Sequence, residues 1–537
     1  MIAISGLKLA PGADEEQLRA RAARALRIPP DAVTALKIRK KSLDARKKND
    51  IHYLYTVCVS VRGDEAKIAA RCKQASIAAE YHYDIPDVGT PALRPVVVGF
   101  GPAGMFAALV LAMAGARPIV LERGPDALTR QRQIEAFRRG GAFDPACNVQ
   151  FGEGGAGTFS DGKLSTGTHD RRIRWVLEQF AAHGAPEHIT YDAKPHIGTD
   201  VLVHVVQALR RDIIARGGEV RFCHRLTGLE CSGNTLRAVA VSSPEGDYRL
   251  EADHLILAIG HSARDTFEML LAQGVAMTPK PFSMGVRIEH RQADINAAQY
   301  GAAAPNLPAA DYALSCHLPD GESAYTFCMC PGGEVFAAAS EAGGVVTNGM
   351  SRSARDGENA NAALLVTLRP EDFPDQGTLG GMHWQRAIEQ RAFRCGGGNY
   401  HAPAQLVGDF LAHRPSTGPG AVQPTYRPGV AWGDLHDVLP EKITRVLEQA
   451  LPELGKKLRG FDAPDAVLTA PETRSSSPVR IERGDSCCSV AVQGLYPCGE
   501  GAGYAGGITS AAVDGMRCAE AVLAHVRTDG CEEHPTA

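Results

Sequence analysis

The segment VVVGFGPAGMFAALVLAMAGARPIVLERG, residues Val96–Gly124, decides the fold of this chain. An apolar run of this kind can be a membrane span, a nucleotide cradle or a buried core segment. A spanning helix needs ~20 continuous apolar residues without helix breakers. Here Gly99, Gly101, Pro102 and Gly104 interrupt the run near its start. The membrane interpretation therefore fails.

The same segment predicts a βαβ unit. Val96–Val98 is β-branched and suits a buried parallel strand. Met105–Ala116 is a helix-forming apolar run, and Pro118–Leu121 is a second strand. Residues 99–104 match G-x-G-x-x-G directly after the first strand. The three glycines would allow the tight turn, the approach of a pyrophosphate and close helix packing, while the helix N-terminus faces the phosphates. The predicted cradle consists of Gly99, Gly101, Pro102, Ala103 and Gly104.

An acidic residue strengthens this prediction. Glu122 follows Gly104 by 18 positions, at the end of the second strand. A carboxylate there can accept hydrogen bonds from both hydroxyls of an adenosine ribose, and it would repel a 2′-phosphate, which excludes NADP at this site. Two plain alternatives are a solvated strand end and an ordinary tight turn. The combined pattern favours a dinucleotide site.

Composition indicates a chain of two or three domains, because 537 residues exceed a single core. The net charge of −4 gives no global attraction to nucleic acid or lipid. The first residues lack a basic stretch and become acidic at Asp14, so we expect no signal peptide, no membrane association and a cytoplasmic location. The 14 cysteines include no C-x-x-C pair, which predicts reduced thiols and no metal site.

Residues 1–90 predict a small N-terminal α/β domain. Strands are expected at Ile2–Leu9, Ala35–Ser42 and Ile51–Val61, and helices at Asp14–Leu26 and Asp64–Ala75. The basic hairpin of this domain, residues 38–48, carries six Lys or Arg residues. It predicts either a contact with RNA or an acidic partner, or simply a solvated hairpin, which the absence of interleaved aromatic residues favours.

Two later segments are rich in glycine. Asn148–Gly167 forms an extended loop that can approach a flat ligand and offer it amides and hydroxyls, or else an Ω-loop that serves packing alone. Gly494–Val522 predicts a strand, a glycine loop and a helix that begins near Ile508. Gly218–Leu229 and Asp253–Gly260 predict two further strands. The loop residues expected at the ligand are Gly155, Gly157, Thr158 and Ser160.

These motifs together resemble a known family. Four motifs are similar to those of glutathione-reductase-like FAD-binding flavoproteins. They are GxGPAG, the Glu-Arg pair that ends the second strand, ILAIG and the late GEGAG. FGEGGAGTFSDGKL, FCMCPGGEV, ETRSSSPVRI and YPCGEGAGYAGGITSAAVDG resemble, more narrowly, bacterial FAD-dependent or NAD(FAD)-utilising dehydrogenases, which are related to geranylgeranyl reductase. The resemblance covers nearly the whole chain, and it implies FAD without supplying a substrate.

The resemblance also implies roles for single residues. Glu500 would accept a hydrogen bond from a ribityl hydroxyl, and Gly507 and Ile508 would place N–H groups near the flavin pyrimidine. Arg123 would pack along the adenosine, and Leu226 would flank the adenine. The remaining residues implied at the cofactor are Gly260, from ILAIG, and Gly499, from GEGAG.

The shape of the two cofactors also favours FAD over NAD, without reference to the resemblance. A flavin extends away from the first helix and needs a second glycine loop for its ribityl chain and ring, which GEGAG supplies. No second G-x-G-x-x-G follows a strand, so no dedicated NAD(P)H domain is expected and any NAD(P)H would dock transiently. Cys147 stands alone after the first helix, which argues against disulfide reduction.

The expected fold class is α/β. A Rossmann-like FAD-binding domain with a parallel sheet, residues 93–278 and 470–527, is interrupted by a mostly antiparallel α+β substrate domain, residues 279–469. Phe282–His290 and Ala324–Ser340 alternate like antiparallel strands. Cys328 and Cys330 would share one face of such a strand, where buried packing is favoured over a redox role.

The expected function is that of an FAD-dependent oxidoreductase transferring hydride between the flavin and a small-molecule substrate. Weak candidates for proton transfer or charge stabilisation are His196, Lys163 and Arg474, with Arg480 as an alternative. Two other functions remain open, an RNA-modifying flavoenzyme and a non-catalytic FAD-binding scaffold or sensor.

Overall fold

The computed structural model describes residues 1–79 and 81–532. The N-terminal region contains, in chain order, β1 (Ile2–Leu9), α1 (Glu15–Leu26), β2 (Val33–Asp44), β3 (His52–Val61), α2 (Glu65–Ala70) and β4 (Ala75–Ile77). Its antiparallel sheet has the order β2-β3-β1-β4, the ferredoxin-like βαββαβ arrangement. The second helix is shorter than predicted, because Ala75 already begins β4.

The next region alternates helices and strands. Its elements are β5 (Val96–Val98), α3 (Pro102–Met113), β6 (Ile119–Glu122), α4 (Ala127–Arg138), α5 (Arg172–Ala182), α6 (Thr199–Ala215), β7 (Glu219–Phe222), β8 (Arg225–Ser232), β9 (Thr235–Ser242), β10 (Tyr248–Glu251), β11 (Leu255–Leu257), α7 (Arg264–Ala272) and β12 (Met277–Pro279).

The third region is rich in longer strands. Its elements are β13 (Phe282–Arg291), α8 (Gln292–Tyr300), β14 (Ser315–His317), β15 (Ser323–Cys330), β16 (Gly333–Ala337), β17 (Thr347–Ser351), β18 (Asn359–Leu368), α9 (Gly380–Cys395), β19 (Ala402–Leu406), α10 (Val407–Leu411), β20 (Val430–Trp432), α11 (Glu441–Lys457) and β21 (Val467–Glu472). The chain then continues through β22 (Val479–Ile481), β23 (Leu495–Pro497) and α12 (Ile508–Glu532).

A five-stranded parallel sheet organises the second region. Its order is β23-β11-β5-β6-β7, so the late strand β23 joins the early ones. Helix α3 packs against α12 and is buried from Ala103 to Ala112, which explains why it is apolar on every side. No helix in the described part of the chain is both long enough and apolar enough to cross a membrane.

A seven-stranded sheet dominates the third region. Its order is β14-β15-β18-β13-β21-β19-β20, and every pair is antiparallel except β19 with β20. Strand β13 pairs with β18 over ten residues, and nine of its own ten residues are buried. The predicted α/β fold with a parallel sheet and an interrupting antiparallel sheet is confirmed.

Three predicted boundaries need correction. Gly218–Leu229 forms two strands, β7 and β8, which separate at Cys223 with its left-handed φ of 63°. Ala324–Ser340 likewise forms β15 and β16, separated by a turn at Gly332. The predicted domain boundary at residue 470 falls inside β21, which stays in the antiparallel sheet to Glu472.

A buried ionic cluster links the second and third regions. The carboxylate of Glu389, on α9, accepts two hydrogen bonds from Arg264, on α7, each at 2.8 Å. It also accepts bonds from Arg474 at 3.0 and 2.7 Å. Burial opposes ionisation of Glu389, but the two guanidinium groups hold its pKa well below the usual value. One carboxylate therefore links elements from both regions.

Removal of this carboxylate should destabilise the protein. Glu389→Ala leaves the buried guanidinium groups of Arg264 and Arg474 with only the more exposed Glu341 as a carboxylate partner, and breaking a buried ion pair costs about 3–5 kcal/mol. We expect the apparent melting temperature, measured by scanning fluorimetry, to fall by several degrees. The control is Glu453→Ala, because the Glu453–Lys456 pair is exposed and should contribute at most about 1 kcal/mol. Similar melting temperatures for the two variants would contradict this interpretation.

Candidate functional site

An elongated cavity runs from the carboxyl ends of the parallel strands to the antiparallel sheet. Ligands of open α/β sheets bind at this end of the strands. Most residues predicted at the cofactor lie on the cavity wall. They are Gly99, Gly101, Pro102, Ala103, Glu122, Arg123, Gly155, Gly157, Ser160, Leu226, Gly260, Glu500, Gly507 and Ile508.

The glycine turn after β5 has the geometry that its spacing predicts. Gly99 has φ of 95°, and a Cβ atom added to it would lie 2.2 Å from the Ala258 carbonyl oxygen. A Cβ atom on Gly104 would lie 1.9 Å from the Gly99 carbonyl oxygen, so this glycine permits close contact between helix and turn. At Gly101 the nearest atom would be 3.7 Å away. The second glycine therefore borders the cavity without the tight contacts of the other two.

Helix α3 points its N-terminus at this space. Gly101 is its N-cap residue, Pro102 is its first residue, and no side chain caps it. The first N–H groups of the helix have no partners within the helix and carry a partial positive charge. An anionic group in the cavity would satisfy them, as a pyrophosphate does at such helix ends.

The carboxylate of Glu122 is almost completely buried and binds three backbone amides. It accepts hydrogen bonds from the N–H groups of Phe100 at 2.8 Å, Gly124 at 2.9 Å and Gly152 at 3.0 Å. Two carboxylate oxygens have about four acceptor positions, so capacity for a ribose hydroxyl remains. Glu122 thus shapes the loops around the cavity in addition to its predicted role.

Arg130, on α4, holds the next loop from within the protein. Its guanidinium is fully buried and donates to the carbonyls of five loop residues. Burial lowers its pKa to about 10. The sequence offers no signal for this role, because Arg130 is one of several charged residues in its helix. The five carbonyls belong to Asn148, Val149, Gly152, Glu153 and Gly155.

Three predicted cofactor residues lie behind the cavity wall, and their role in the structure is packing. Gly104 contacts the Gly99 turn, as described above. The carbonyl of Thr158 accepts a hydrogen bond from the Thr199 hydroxyl at 2.7 Å. A Cβ atom on Gly499 would lie 2.8 Å from Cβ of Ala103. Direct cofactor contacts by these residues are therefore not indicated.

The end of the cavity at which adenosine is predicted is lined by residues in ionic and ring contacts. The Arg123 guanidinium donates to both carboxylate oxygens of Asp265, at 2.8 and 3.1 Å. It also lies 4.0 Å from the ring centre of Phe151. Leu226, at the start of β8, is buried on the same wall. Arg123 is therefore fixed in place before any ligand is considered.

At the other end, Glu500 faces His261. The Oε1 atom of Glu500 lies 4.0 Å from Nε2 of His261. Burial raises the pKa of Glu500 to about 7, and burial together with Arg474 and Arg264 lowers that of His261 to about 3. His261 is therefore neutral at ordinary pH. Sequence reasoning missed this residue, which lies in the turn after β11.

The far wall of the cavity is polar. Lys163 donates to the Met329 carbonyl and lies 3.2 Å from the buried Asp161 carboxylate. Glu472 forms a two-point ion pair with Arg287, at 2.8 and 2.9 Å. Asn348 accepts a hydrogen bond from that same guanidinium at 2.9 Å. The side chains of this wall are therefore rigidly positioned.

The four candidates for catalysis do not all meet at the cavity, although an isolated antiparallel β-bridge pairs Lys163 with His196. Lys163 and Arg474 line the cavity, although the Arg474 guanidinium is already paired with the Glu389 carboxylate. Among the described residues, those of the cavity wall do not include His196 or Arg480. The Nε2 atom of His196 lies 3.2 Å from the Ser353 carbonyl, and burial lowers its pKa. The structure thus gives His196 and Arg480 no place on the cavity wall, whereas a role for Lys163 stays a prediction.

The basic hairpin makes an intramolecular contact. The Lys41 amide donates to the Tyr191 carbonyl, and the Ala193 amide donates to the Lys41 carbonyl, both at 2.8 Å. The Lys41 ammonium also lies 4.7 Å from the ring centre of Tyr53. Part of the hairpin therefore packs within the chain, and the predicted contact with RNA or an acidic partner stays a prediction.

Family models match most of the chain. Residues 93–272 match an FAD binding domain, and residues 281–475 match the family described as FAD-dependent protein, C-terminal domain-like. Residues 1–60 match a domain of unknown function.

Similar proteins extend this result. An uncharacterized protein of Clostridium beijerinckii is 46% identical over 529 residues, which cover 97% of this chain and 98% of that protein. Aklavinone 12-hydroxylase of Streptomyces purpurascens is 29% identical over 177 residues, 31% of this chain and 32% of that enzyme. A geranylgeranyl bacteriochlorophyll reductase-like structure from Thermoplasma acidophilum is 12% identical, covering 82% of this chain and 80% of that one, with a TM-score of 0.37.

The relative from Clostridium beijerinckii spans nearly the whole chain, and two of the matching family models describe FAD-dependent proteins. The cofactor is therefore FAD, and the scaffold alternative is set aside. The chain belongs, with this relative, to a family of FAD-dependent oxidoreductases.

Proposed function

We propose that this enzyme transfers hydride between bound FAD and a small-molecule substrate that enters beneath the antiparallel sheet. One observation supports the proposal above all. The same cavity continues from the Gly99 turn, past Glu500, to the polar wall that contains Lys163, Asn348 and Glu472. A cavity that extends beyond the ribityl position leaves room for a second molecule beside the flavin ring.

The residues present fit FAD. The Gly99 turn and the N-terminus of α3 would hold the pyrophosphate, and Glu122 would hold the ribose. Glu500 would bind the ribityl chain. Atoms added at Gly260 and Gly507 would meet nothing within 4 Å, so the space beside these glycines is available to a flat ring.

FAD supplies the donor and acceptor of hydride when it is bound. The chain would supply orientation, exclusion of water and fixed charge. The antiparallel sheet covers the polar end of the cavity, and Lys163 carries a positive charge there, with Asp161 as its neighbour. A fixed cation stabilises negative charge that develops during transfer, which supports Lys163 as the cavity residue that assists the reaction.

The electron donor that we propose is NAD(P)H bound transiently. Of the three G-x-G-x-x-G matches in the sequence, at residues 99–104, 152–157 and 501–506, only the first directly follows a strand and opens a helix, and the proposed FAD occupies it. A nicotinamide would then enter by the same route as the substrate. This arrangement predicts alternate occupation of one space by donor and substrate.

Isotope transfer tests the function. Holoenzyme is mixed anaerobically with NADH or NADPH deuterated at the transferred position, and flavin absorbance is followed by stopped flow. We expect deuterium to slow flavin reduction, because a C–H bond breaks in that step. Lys163→Met should slow reduction about tenfold or more with its FAD content unchanged. Lys456→Met, an exposed lysine, is the control. Reduction by neither nicotinamide would refute the proposed donor, and incorporation of labelled O₂ into a product would refute simple hydride transfer.

Glu500 should contribute to retention of FAD. Above pH 7, where the Glu500 carboxylate is charged, Glu500→Ala removes a charge-assisted hydrogen bond worth about 1.5–3 kcal/mol, which corresponds to roughly ten- to hundredfold in affinity. Equilibrium binding of FAD to the apoprotein, followed by flavin fluorescence, measures the loss. Glu482→Ala serves as the control, because Glu482 bonds Thr278 away from the cavity. An unchanged dissociation constant for Glu500→Ala would show that this loop does not hold the ribityl chain.

The stability of the apoprotein should also depend on Glu500. Burial raises its pKa from 4.5 to about 7, so the folded state binds a proton that the unfolded chain has lost. Stability therefore falls as the pH rises from about 4.5 to about 7. Glu500→Gln abolishes this titration. The melting temperature of this variant should exceed that of the wild type, by a difference that grows as the pH rises to 7. The corresponding difference in the free energy of unfolding is at most about 3 kcal/mol. A difference that does not vary with pH would contradict the raised pKa.

A further inference from the structure

Cys328 and Cys330 lie at a bulge near the end of β15. Phe327 pairs with Ala363 and Cys330 pairs with Asn361, so two residues of β15 oppose one residue of β18. Cys328 has a left-handed φ of 42°. Such a conformation is costly for a residue other than glycine, and it concentrates at functional sites.

Two cations hold this bulge in place. The Arg287 guanidinium donates to the Cys328 carbonyl at 3.0 Å, and the Lys163 ammonium donates to the Met329 carbonyl. The Cys330 thiol donates to the Cys328 carbonyl at 3.2 Å. Several hydrogen bonds therefore hold this strained backbone segment in its conformation.

The two thiols differ in access. Cys328 lines the cavity beside Lys163 and Glu472, whereas Cys330 is fully buried behind it. The neighbouring Cys330 thiol, together with the positive charges of Lys163 and Arg287, lowers the pKa of Cys328. These contacts favour the thiolate, which is the reactive form.

The position of Cys328 relates it to the flavin end of the cavity. Cys328 and Glu500 line the same cavity. Glu500 is the residue at which the proposed function places the ribityl chain. The flavin ring would therefore lie between the ribityl position and the polar wall that carries Cys328.

We propose that Cys328 and Cys330 form a dithiol that exchanges two electrons with the bound FAD. The inference rests on the proposed function, which places the flavin in this cavity. In one direction the two thiols lose two electrons and two protons, an S–S bond forms between their Sγ atoms, and FAD becomes FADH₂. In the other direction FADH₂ returns two electrons and two protons, the S–S bond breaks, and both thiols are restored.

Anaerobic reductive titration of oxidised holoenzyme counts the electrons. We expect the wild type to take up four electrons per FAD, two for the flavin and two for the disulfide. Cys328→Ser and Cys330→Ser should each take up two. Cys316→Ser is the matched control, because Cys316 is buried on the adjacent strand β14, and it should take up four. Two electrons for the wild type, or four for Cys328→Ser, would overturn the proposal.

Disulfide mapping on FAD-free protein gives a second measurement. The apoprotein is oxidised with diamide, its free thiols are alkylated, and tandem mass spectrometry locates the protected cysteines. We expect Cys328 and Cys330 to be protected together in the wild type and in Cys316→Ser. Their alkylation in a protein that still binds FAD would overturn the dithiol alone. Failure to bind FAD would overturn the proposed function and, with it, the exchange.

Discussion

The cavity depends on two buried charges that bind backbone rather than each other. The Glu122 carboxylate accepts hydrogen bonds from the amides of three loop residues. The Arg130 guanidinium donates hydrogen bonds to five carbonyls of the loop that follows α4. Buried backbone groups without partners are costly. A glycine-rich loop has few side chains to satisfy them, so one anion and one cation give this loop a defined shape.

The far wall is built on the same principle with side chains as partners. Glu389 pairs with Arg474, which lines the cavity, and with Arg264 of α7, while Glu472 pairs with Arg287 within the antiparallel sheet. Buried ion pairs of this kind contribute little net stability. They do fix orientation, and the cavity is accordingly lined by charged groups whose positions do not depend on a ligand.

The sequence predicted what depends on short spacing. The Gly99 turn, its helix and Glu122 follow from local patterns, whereas the place of Glu500 was implied by the resemblance, and all lie on the cavity. Three features were not predictable, because each depends on residues that only the tertiary fold brings together. They are the position of His261 on the cavity wall, the five carbonyl contacts of Arg130 and the ion pair between Arg474 and Glu389. Arg287 and Glu472, for example, are 185 positions apart. The bulge at Cys328 was also not predictable. The alternation of side chains in a regular strand would place Cys328 and Cys330 on one face of the sheet.

The contact between Lys41 and the 191–193 segment has a consequence for association between chains. Strand β2 is the outer strand of the N-terminal sheet, and an uncovered outer strand invites pairing with another polypeptide. Here the amide and carbonyl of Lys41 are already bonded within the chain. The opposite edge is β4, which has three residues and a side chain, Ile77, that is 54% exposed. A partner that recognises this sheet by strand addition would therefore extend it beyond β4 rather than along the basic hairpin.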